Sequence, residues 1–382
     1  MTLLRGSQYS GTLLQASAGA AFHLTGSSVA AYQAITAVWW LAAALVFRRL
    51  VRNLWNPVAG DLTAALLWVG TPDLVALSLK DPGYYGPTLA LAGLILLLAT
   101  RLDVTPICVS AAIGVVGGLL LWTSPSGTAF ALPAVIFFFL RTRPWPGWGT
   151  ATLGAIVGSL PWWIWNMTND WRSLTDDHSP SALFGDRLKD LFTIVLPAGV
   201  PGFQFQVQHT IVAAAVALTI ALGISHAILR RRWDRLTVAA TGVTGVMVLI
   251  GAVQQLDTTS SSRYAAFILP VAALLFAAGI TSIPRMGRVA GWLAVAGIVA
   301  VTSVTIWNNS GRLERNHGNY WTGDIPALTA HLSNRHVRAV YAEYWISYEI
   351  VAQSHERLPR TPSAKIGGPP MPVSPPISYT RS

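Results

Sequence analysis

Ten apolar stretches dominate this chain of 382 residues, and arginine recurs at every second connection between them. About 20 mostly apolar residues in helical form are needed to cross a bilayer core. Only helices and closed barrels satisfy their backbone polar groups in lipid, and runs this long and continuous are helical. We therefore predict an all-α polytopic membrane protein. Its ten predicted spans lie near 28–47, 62–79, 84–100, 105–122, 127–140, 147–166, 208–229, 236–254, 264–283 and 289–307.

The basic residues predict on which side of the membrane each connection lies. Alternate connections carry Arg48, Arg49, Arg52, Arg101, Arg141, Arg143, Arg230, Arg231, Arg232, Arg235, Arg285 and Arg288. The short connections between them carry Lys80, no charge at 123–126, and Arg263. Short loops rich in Lys and Arg stay cytoplasmic. We therefore predict a multi-pass cell-membrane protein whose N-terminus, C-terminal tail and loop 167–207 are external.

Composition agrees with a membrane protein. Charged residues make up 11% of the chain, against about 25% in soluble domains. The net charge of +10 comes partly from the loop arginines, so we predict the lipid bilayer as a partner and no nucleic-acid binding. Tryptophans recur at predicted span ends, as in an interfacial aromatic belt. They are Trp39, Trp40, Trp122, Trp148, Trp162, Trp163, Trp165 and Trp307.

The cysteine and histidine residues limit which disulfides and metal sites the chain can form. Cys108 is the only cysteine, so no disulfide forms within the chain. No Cys/His cluster predicts a zinc or iron–sulfur site. The sequence therefore predicts no metal ligands, and it leaves the cofactor open, a divalent metal included.

The distribution of apolar, charged and proline residues divides the chain into four predicted segments. Residues 1–27 form an external interfacial segment and residues 28–307 the transmembrane helical domain. Residues 308–360 form a small external α/β domain, and residues 361–382 form a disordered tail rich in proline. No internal repeat of 20–50 residues is present.

Two of these segments carry local signals. In the first, Leu14, Ala18, Ala21 and Phe22 recur at helical spacing and predict a short helix at the outer interface. In the third, Asp324 is placed to cap a helix with Pro326 in its first turn, continuing through Leu328 and Leu332. The stretch 337–345 is rich in β-branched and aromatic residues and predicts a strand.

The first candidate site is Arg263 with Tyr264, at the outer start of the ninth predicted span. The planar guanidinium of an arginine donates two hydrogen bonds to a phosphate. The alternative is an arginine whose long side chain reaches the lipid headgroups.

The second candidate is the connection after the second span, where Lys80 and Asp81 precede Tyr84 and Tyr85. A carboxylate beside an ammonium can act as a base next to a group that holds phosphate. The alternative is a plain turn, which Asp-Pro-Gly favours. Asp73, inside the second span, is functional, paired with Lys80 or held neutral.

The third candidate is the outer end of the sixth span and the loop that follows it. Aromatic residues there can line a sugar or lipid groove, and the acidic residues and histidine can serve as acid and base or bind a metal. The alternative is an aromatic belt followed by a solvated loop. The residues are Trp163, Trp165, Asn166, Asp176, Asp177 and His178.

Six segments, taken together in their order, resemble the polytopic glycosyltransferases of the C-type fold, which include protein O-mannosyltransferases, lipid A aminoarabinose transferases and bacterial relatives. The resemblance covers residues 9–358. The segments are YSGTLLQASAGAAFHLTGSSVAAYQ (9–33), SLKDPGYYGPTLALAGLILLLATRL (78–102), GLLLWTSPSGTAFALPAVIFFFL (118–140), LPWWIWNMTNDWRSL (160–174), RYAAFILPVAALLFAAGI (263–280) and AVYAEYWISYEIVAQSHERL (339–358).

The resemblance implies transfer of a sugar from a polyprenyl-phosphate donor to an acceptor on the external face. A carboxylate would deprotonate the acceptor while basic residues hold the leaving phosphate. Asp81 is the candidate base, and Arg263, Tyr264 and Lys80 are the candidate phosphate ligands. The candidate residues that line the cavity are Tyr84, Tyr85, Trp163, Trp165, Asn166, Asp176, Asp177 and His178.

One feature departs from that family, whose principal catalytic aspartate lies in its first external loop. This chain has no Asp or Glu before Asp61. We expect either a further helix and loop upstream of this sequence, or a degenerate member without that base.

Two other functions stay open. One is a non-catalytic membrane protein of the same fold in cell-envelope assembly, with an unidentified protein partner. The other is a transporter, which is less favoured because few intramembrane charges and no inverted repeat are present.

Overall fold

The computed structural model describes residues 13–25, 29–70, 84–100, 106–124, 127–128, 145–171, 269–281, 287–315 and 325–335, and the single positions 75, 78, 173, 185, 186 and 189. The regular elements in these ranges are helices, as predicted. They are α1 (Leu13–Thr25), α2 (Val29–Leu54), α3 (Pro57–Val69), α4 (Tyr85–Ala99), α5 (Pro106–Thr123), α6 (Trp145–Met167), α7 (Leu269–Thr281), α8 (Gly287–Arg315) and α9 (Ile325–Asn334).

Several predictions fall outside these ranges. The spans at 208–229 and 236–254, the strand at 337–345 and the tail at 361–382 lie outside the described residues, as does the span at 127–140 apart from its first two residues. The ten-span count and the small α/β domain therefore stay predictions.

The chain forms two compact units, residues 1–26 with 30–307 and residues 27–29 with 308–382. The second unit contains α9, which begins at Ile325 next to Pro326. The helix predicted there is confirmed. In the first unit, α1 is the helix predicted near the N-terminus.

Two of the described helices are long and apolar enough to cross a bilayer, Ala30–Leu54 in α2 and Gly287–Val304 in α8. Only 39% of the first and 22% of the second is buried in their most apolar windows. A core helix of a water-soluble protein would be mostly buried. The low burial of these apolar helices therefore favours contact with lipid.

Helix α6 shows the same pattern. Large apolar side chains on one face are exposed at helical spacing, and Met167 at its end is 70% exposed. Contiguous exposed apolar surface marks an interaction with a membrane or partner. The exposed residues are Leu153, Ile156, Val157, Leu160, Ile164 and Met167.

The opposite face of α6 packs on α5 through glycine. A Cβ on Gly154 would meet the carbonyl oxygen of Ala111 at 2.5 Å, and a Cβ on Gly118 would meet the backbone nitrogen of Ser159 at 2.6 Å. Gly114 and Gly158 face backbone atoms of the partner helix in the same way. Small residues four apart let two helix backbones approach closely.

Because Gly114 faces Ala151 and Gly118 faces Ala155, α5 and α6 run in the same direction. Two neighbouring helices that are parallel must be joined by a segment that crosses back to the end at which the first helix begins. The predicted span at 127–140 would provide that return.

Glycines also set how α2 packs on its two neighbours. Gly60 of α3 lies against Arg48 and Arg52 of α2, and because the two helices form a hairpin they are antiparallel. Gly86 of α4 lies against Trp40, and Gly93 lies against Phe47. Since both numbers rise together, α4 runs parallel to α2.

Polar contacts join the helices at one end of the bundle, which we call the arginine end because Arg48, Arg49 and Arg52 of α2 lie there. Arg48 Nε donates to Asp61 Oδ1 at 2.6 Å. Asn56 caps α3 by accepting from the amide of Ala59 at 2.8 Å. From the sequence alone Asp61, on the predicted cytoplasmic side, looks like the N-cap of this helix, and that prediction is wrong. Pro57 fits the first helical position, so α3 begins before Asp61, whose carboxylate then meets Arg48.

Candidate functional site

Two helix ends lie at a common height in the bundle, next to Trp40. Gly60 of α3 faces Arg48 and Arg52. Gly70, which ends α3 ten residues later, therefore comes level with Trp40 of the antiparallel α2. Helix α4 begins at this height too, because Gly86 in its first turn lies against Trp40.

Two further helices end at the same height. Gly127, four residues after the end of α5, lies against Thr88 in the first turn of α4. Gly158 of α6 faces Val115 and Leu119 of the parallel α5, so the end of α6 at Met167 comes level with the end of α5. We call this height the Trp40 level.

The Trp40 level is recessed from the end of α2. Helix α2 continues for ten residues from Trp40 to Ala30, which is about 15 Å of helix. Helix ends leave backbone amides or carbonyls unpaired, and inside a membrane such backbone is tolerated where it is buried in protein or lines a cavity. The Trp40 level is therefore the best place in the described residues for a polar site.

Tyr84 and Tyr85 stand at the start of α4. Their rings stack with centroids 4.5 Å apart, and the Tyr84 hydroxyl donates to the Tyr85 hydroxyl at 3.3 Å. Tyr85 is fully buried, whereas Tyr84 is half-buried. The two predicted cavity residues therefore form one aromatic pair, with Tyr84 on its more accessible side.

Asn166 organises the end of α6. Its side-chain amide donates to the Trp162 carbonyl at 3.0 Å, and its Oδ1 accepts from the Ser173 hydroxyl at 2.6 Å. Its backbone carbonyl accepts from the amides of Asn169 and Trp171, both at 3.1 Å. Asn166 is fully buried, so its side chain is committed to holding this turn.

The turn brings a third tryptophan onto the helix end. Asp170 and Trp171 have φ of 53° and 56°, a left-handed conformation that is rare for a bulky residue. As a result the Trp171 ring meets the edge of Trp163, with centroids 5.7 Å apart, and Trp162 lies 6.3 Å away. Trp163 and Trp171 both keep exposed surface, and Trp165 is half-buried.

Trp40 differs from its predicted place in an interfacial belt. It is 1% exposed because its indole ring packs in the space left by the missing side chain of Gly86. Within the described part of the chain its Nε1 has no hydrogen-bond partner, and neither does the buried Oγ1 of Thr88. The apolar periodicity of the sequence did not indicate that either atom would be buried, because their burial depends on the register between helices.

Seven predicted site residues lie outside the described residues: Lys80, Asp81, Arg263, Tyr264, Asp176, Asp177 and His178. Asp73 lies outside them as well.

Among the described residues no group of His, Cys, Asp or Glu is arranged to hold a metal ion. In these ranges the polar groups at the Trp40 level are hydroxyls, amides and indoles, together with the exposed carboxylate of Asp170 in the turn after α6. They can orient a ligand by hydrogen bonds.

A hydrogen bond from α8 fixes the end of α3 at this level. The Thr302 hydroxyl donates to the Gly70 carbonyl at 2.6 Å, in a buried position. We expect Thr302→Val to lower the free energy of unfolding by about 1 kcal/mol, because the carbonyl loses its donor. Thermal unfolding in detergent measures the loss.

Two variants control this measurement. Thr302→Ser keeps the hydroxyl and is expected to recover most of the stability. Thr281→Val removes the longer hydrogen bond from Asn56 at the arginine end, which measures 3.3 Å, together with the bond of the Thr281 hydroxyl to Ala277 in its own helix, and is expected to cost less. Equal losses in the Ser and Val variants would contradict the role of the hydroxyl.

Comparison with known proteins gives a fold. No protein-family profile matches the chain, and no curated protein matches its sequence. The chain is similar to the crystal structure of ArnT from Cupriavidus metallidurans in the apo state, with a TM-score of 0.56 and 12% identity over 92% of this chain and 64% of that one. ArnT bound to undecaprenyl phosphate gives a TM-score of 0.53 and 12% identity, over 92% of this chain and 65% of that one.

At this identity the likeness establishes a shared fold. The chain spans 64% of the length of the ArnT chain. The fold expected from the resemblance to aminoarabinose transferases is therefore supported over most of the present sequence.

Proposed function

We propose that this chain is a membrane glycosyltransferase of the C-type fold. It would transfer a sugar from a polyprenyl-phosphate donor to an acceptor on the external face of the cell membrane. The observation that carries the proposal is the fold shared over 92% of the chain with ArnT, an aminoarabinose transferase. The second ArnT structure contains undecaprenyl phosphate, which has the chemistry of the proposed donor lipid.

The arrangement of the described helices supports the same proposal. Several helix ends meet at the recessed Trp40 level, where a polar headgroup would find hydrogen-bonding groups while its polyprenyl tail stays in lipid. Tyr84 lies at this level, and Asp81 precedes it by three residues in the sequence. The exposed parts of the Trp163 and Trp171 rings offer apolar surface for a sugar ring or an acyl chain.

The proposed reaction is a direct displacement at the anomeric carbon. Asp81 accepts the proton of the acceptor hydroxyl, and the acceptor oxygen forms the new bond to the sugar. The bond from the sugar to the phosphate oxygen breaks, and the electron pair leaves on the phosphate. Arg263 and Lys80 stabilise the charge that develops there, with Tyr264 as a further donor.

The topology follows from the same proposal. The ten predicted spans would place the arginine end in the cytoplasm and the Trp40 level toward the outside. Both termini and the segment carrying Asp176, Asp177 and His178 would then be external, on the side where the acceptor is used.

The direct test uses purified protein in lipid nanodiscs with a radiolabelled polyprenyl-phosphate sugar and an extract of cell-envelope acceptors. We expect label to move from the lipid to the acceptor fraction, and Asp81→Asn to lower the rate at least a hundredfold because the base is lost. Asp186→Asn, a change of the same charge at a described exposed position, is the matched control. Transfer that is equal in both variants would remove Asp81 from the mechanism.

A second candidate function is a non-catalytic protein of the same fold. Residues 1–60 contain no Asp or Glu, whereas the resembling enzymes carry their principal carboxylate in an early external loop. Binding of polyprenyl phosphate without any transfer in the same assay would favour this function.

A further inference from the structure

Three arginines near the end of α2 have different surroundings. Arg48 turns toward α3 and pairs with Asp61. The stem of Arg52 lies against Gly60, where a Cβ would overlap it, and its residue as a whole is exposed. Arg49 is exposed as well. Neither Arg49 nor Arg52 has an ion-pair partner among the described residues.

Arg49 and Arg52 continue an apolar face of the same helix. Val38, Leu41 and Leu45 are large exposed apolar residues on α2. Counted along the helix, these three and the two arginines follow one another at steps of three or four residues. Residues so spaced lie on one face of a helix. The face therefore changes from apolar to basic as it approaches the arginine end.

A surface of this kind fits one partner. The apolar part matches acyl chains, and the arginines stand where the face reaches the depth of the headgroups. Long basic side chains place their charge at the interface while their stems stay along apolar surface. Gly60 favours this geometry for Arg52, because the absence of a side chain lets the stem lie close to α3.

We propose that Arg49 and Arg52 bind the phosphodiester of an anionic phospholipid, with the exposed Asn53 as a neighbouring hydrogen-bond donor. Two guanidinium groups one turn apart supply paired donors and two positive charges to one phosphate group. Arg48 is not part of this surface, since its guanidinium is held by Asp61. The proposal concerns the arginine end alone and is independent of the glycosyltransferase function.

The test compares lipid binding by the full chain in two lipids. Native mass spectrometry in detergent would measure the binding of phosphatidylglycerol and of phosphatidylcholine to wild type and to four variants. The variants are Arg49→Gln, Arg52→Gln, the double variant Arg49→Gln/Arg52→Gln, and Arg48→Gln. We expect wild type to prefer phosphatidylglycerol. Each lost arginine is expected to lower that preference about fivefold, since a basic residue near an anionic surface contributes about 1 kcal/mol.

Arg48→Gln is the matched control, because it removes the same charge from the same turn of α2. Its preference for phosphatidylglycerol is expected to change less than about twofold. An equal loss in this variant and in Arg49→Gln would overturn the proposal in favour of net charge alone. Equal binding of the two lipids by wild type would overturn it as well.

Folding of the variants is checked by thermal unfolding. If the double variant fails to fold, Arg49→Gln decides alone, because Arg49 has no ion-pair partner among the described residues. Arg52→Lys keeps the charge but loses the planar fork. We expect it to retain more of the preference than Arg52→Gln.

Discussion

Gly158→Leu is expected to prevent α5 and α6 from packing, and the protein to lose most of its folded population. A Cβ at this position would overlap the carbonyl oxygen of Val115 and come within 2.9 Å of the Leu119 nitrogen. Both atoms belong to the backbone, so no rotamer change makes room. Overpacking usually costs about 1–3 kcal/mol, and we expect this case to reach or exceed the top of that range. Fluorescence-detected size exclusion and thermal unfolding in detergent measure the effect.

Gly149→Leu is the control for this substitution. Gly149 lies on the same helix, and a Cβ there meets no atom within 4 Å. Both variants replace a helical glycine by leucine, so their difference isolates the contact with α5. Equal folding of the two variants would contradict the close packing of the α5 and α6 backbones.

Arg263→Ala is expected to lower sugar transfer at least a hundredfold if the proposed function is correct. In the proposed reaction its guanidinium neutralises the phosphate as the bond to the sugar breaks. Removing one group that stabilises developing charge costs about 10²–10³ in rate. The initial rate of label transfer from the polyprenyl-phosphate sugar is the measurement.

Arg288→Ala removes the same charge from the first turn of α8, where the side chain is exposed. We expect it to leave transfer within about twofold of wild type, because exposed charges interact weakly. Arg263→Lys tests geometry, since lysine keeps the charge but not the planar fork. An unchanged rate in Arg263→Ala would show that another residue binds the phosphate.

The sequence predicted helix positions well where apolar runs end in clear polar or turn residues. The predicted spans 84–100 and 105–122 agree with α4 and α5 to within one residue at each end. The prediction for α3 was displaced, because its apolar run 62–79 has no sharp start. The cap at Asn56 and the proline after it set the true beginning, and Gly70 sets the end.

The candidate site was predictable only in part. The sequence predicts Tyr84 and Tyr85 as site residues from their place beside Lys80 and Asp81, and the structure adds that their rings stack on each other. The sequence also singled out Asn166, but as a residue that borders a cavity. The structure adds that its side chain is used by Trp162 and Ser173. Contacts of this kind depend on how a turn folds back, and spacing along the chain does not encode that.

The burial of Trp40 was missed for a similar reason. A tryptophan near a predicted span end is typical of an interfacial belt. Its burial requires Gly86 on another helix at the same height, and that pairing is set by the register of α2 against α4. One glycine in an apolar run gives no indication of which helix will meet it.

The parallel packing of α5 and α6 constrains the order in which the protein is built. Neighbours that run in the same direction cannot associate as a hairpin while the chain is being synthesised. Helix α5 is synthesised before α6, and α6, which ends at Met167, is the partner of its Gly114–Gly118 face among the described helices. A nascent chain stalled before that point would present a surface shaped for close helix contact. Such a surface can pair with other membrane helices, so quality control is expected to recognise the stalled chain at α5.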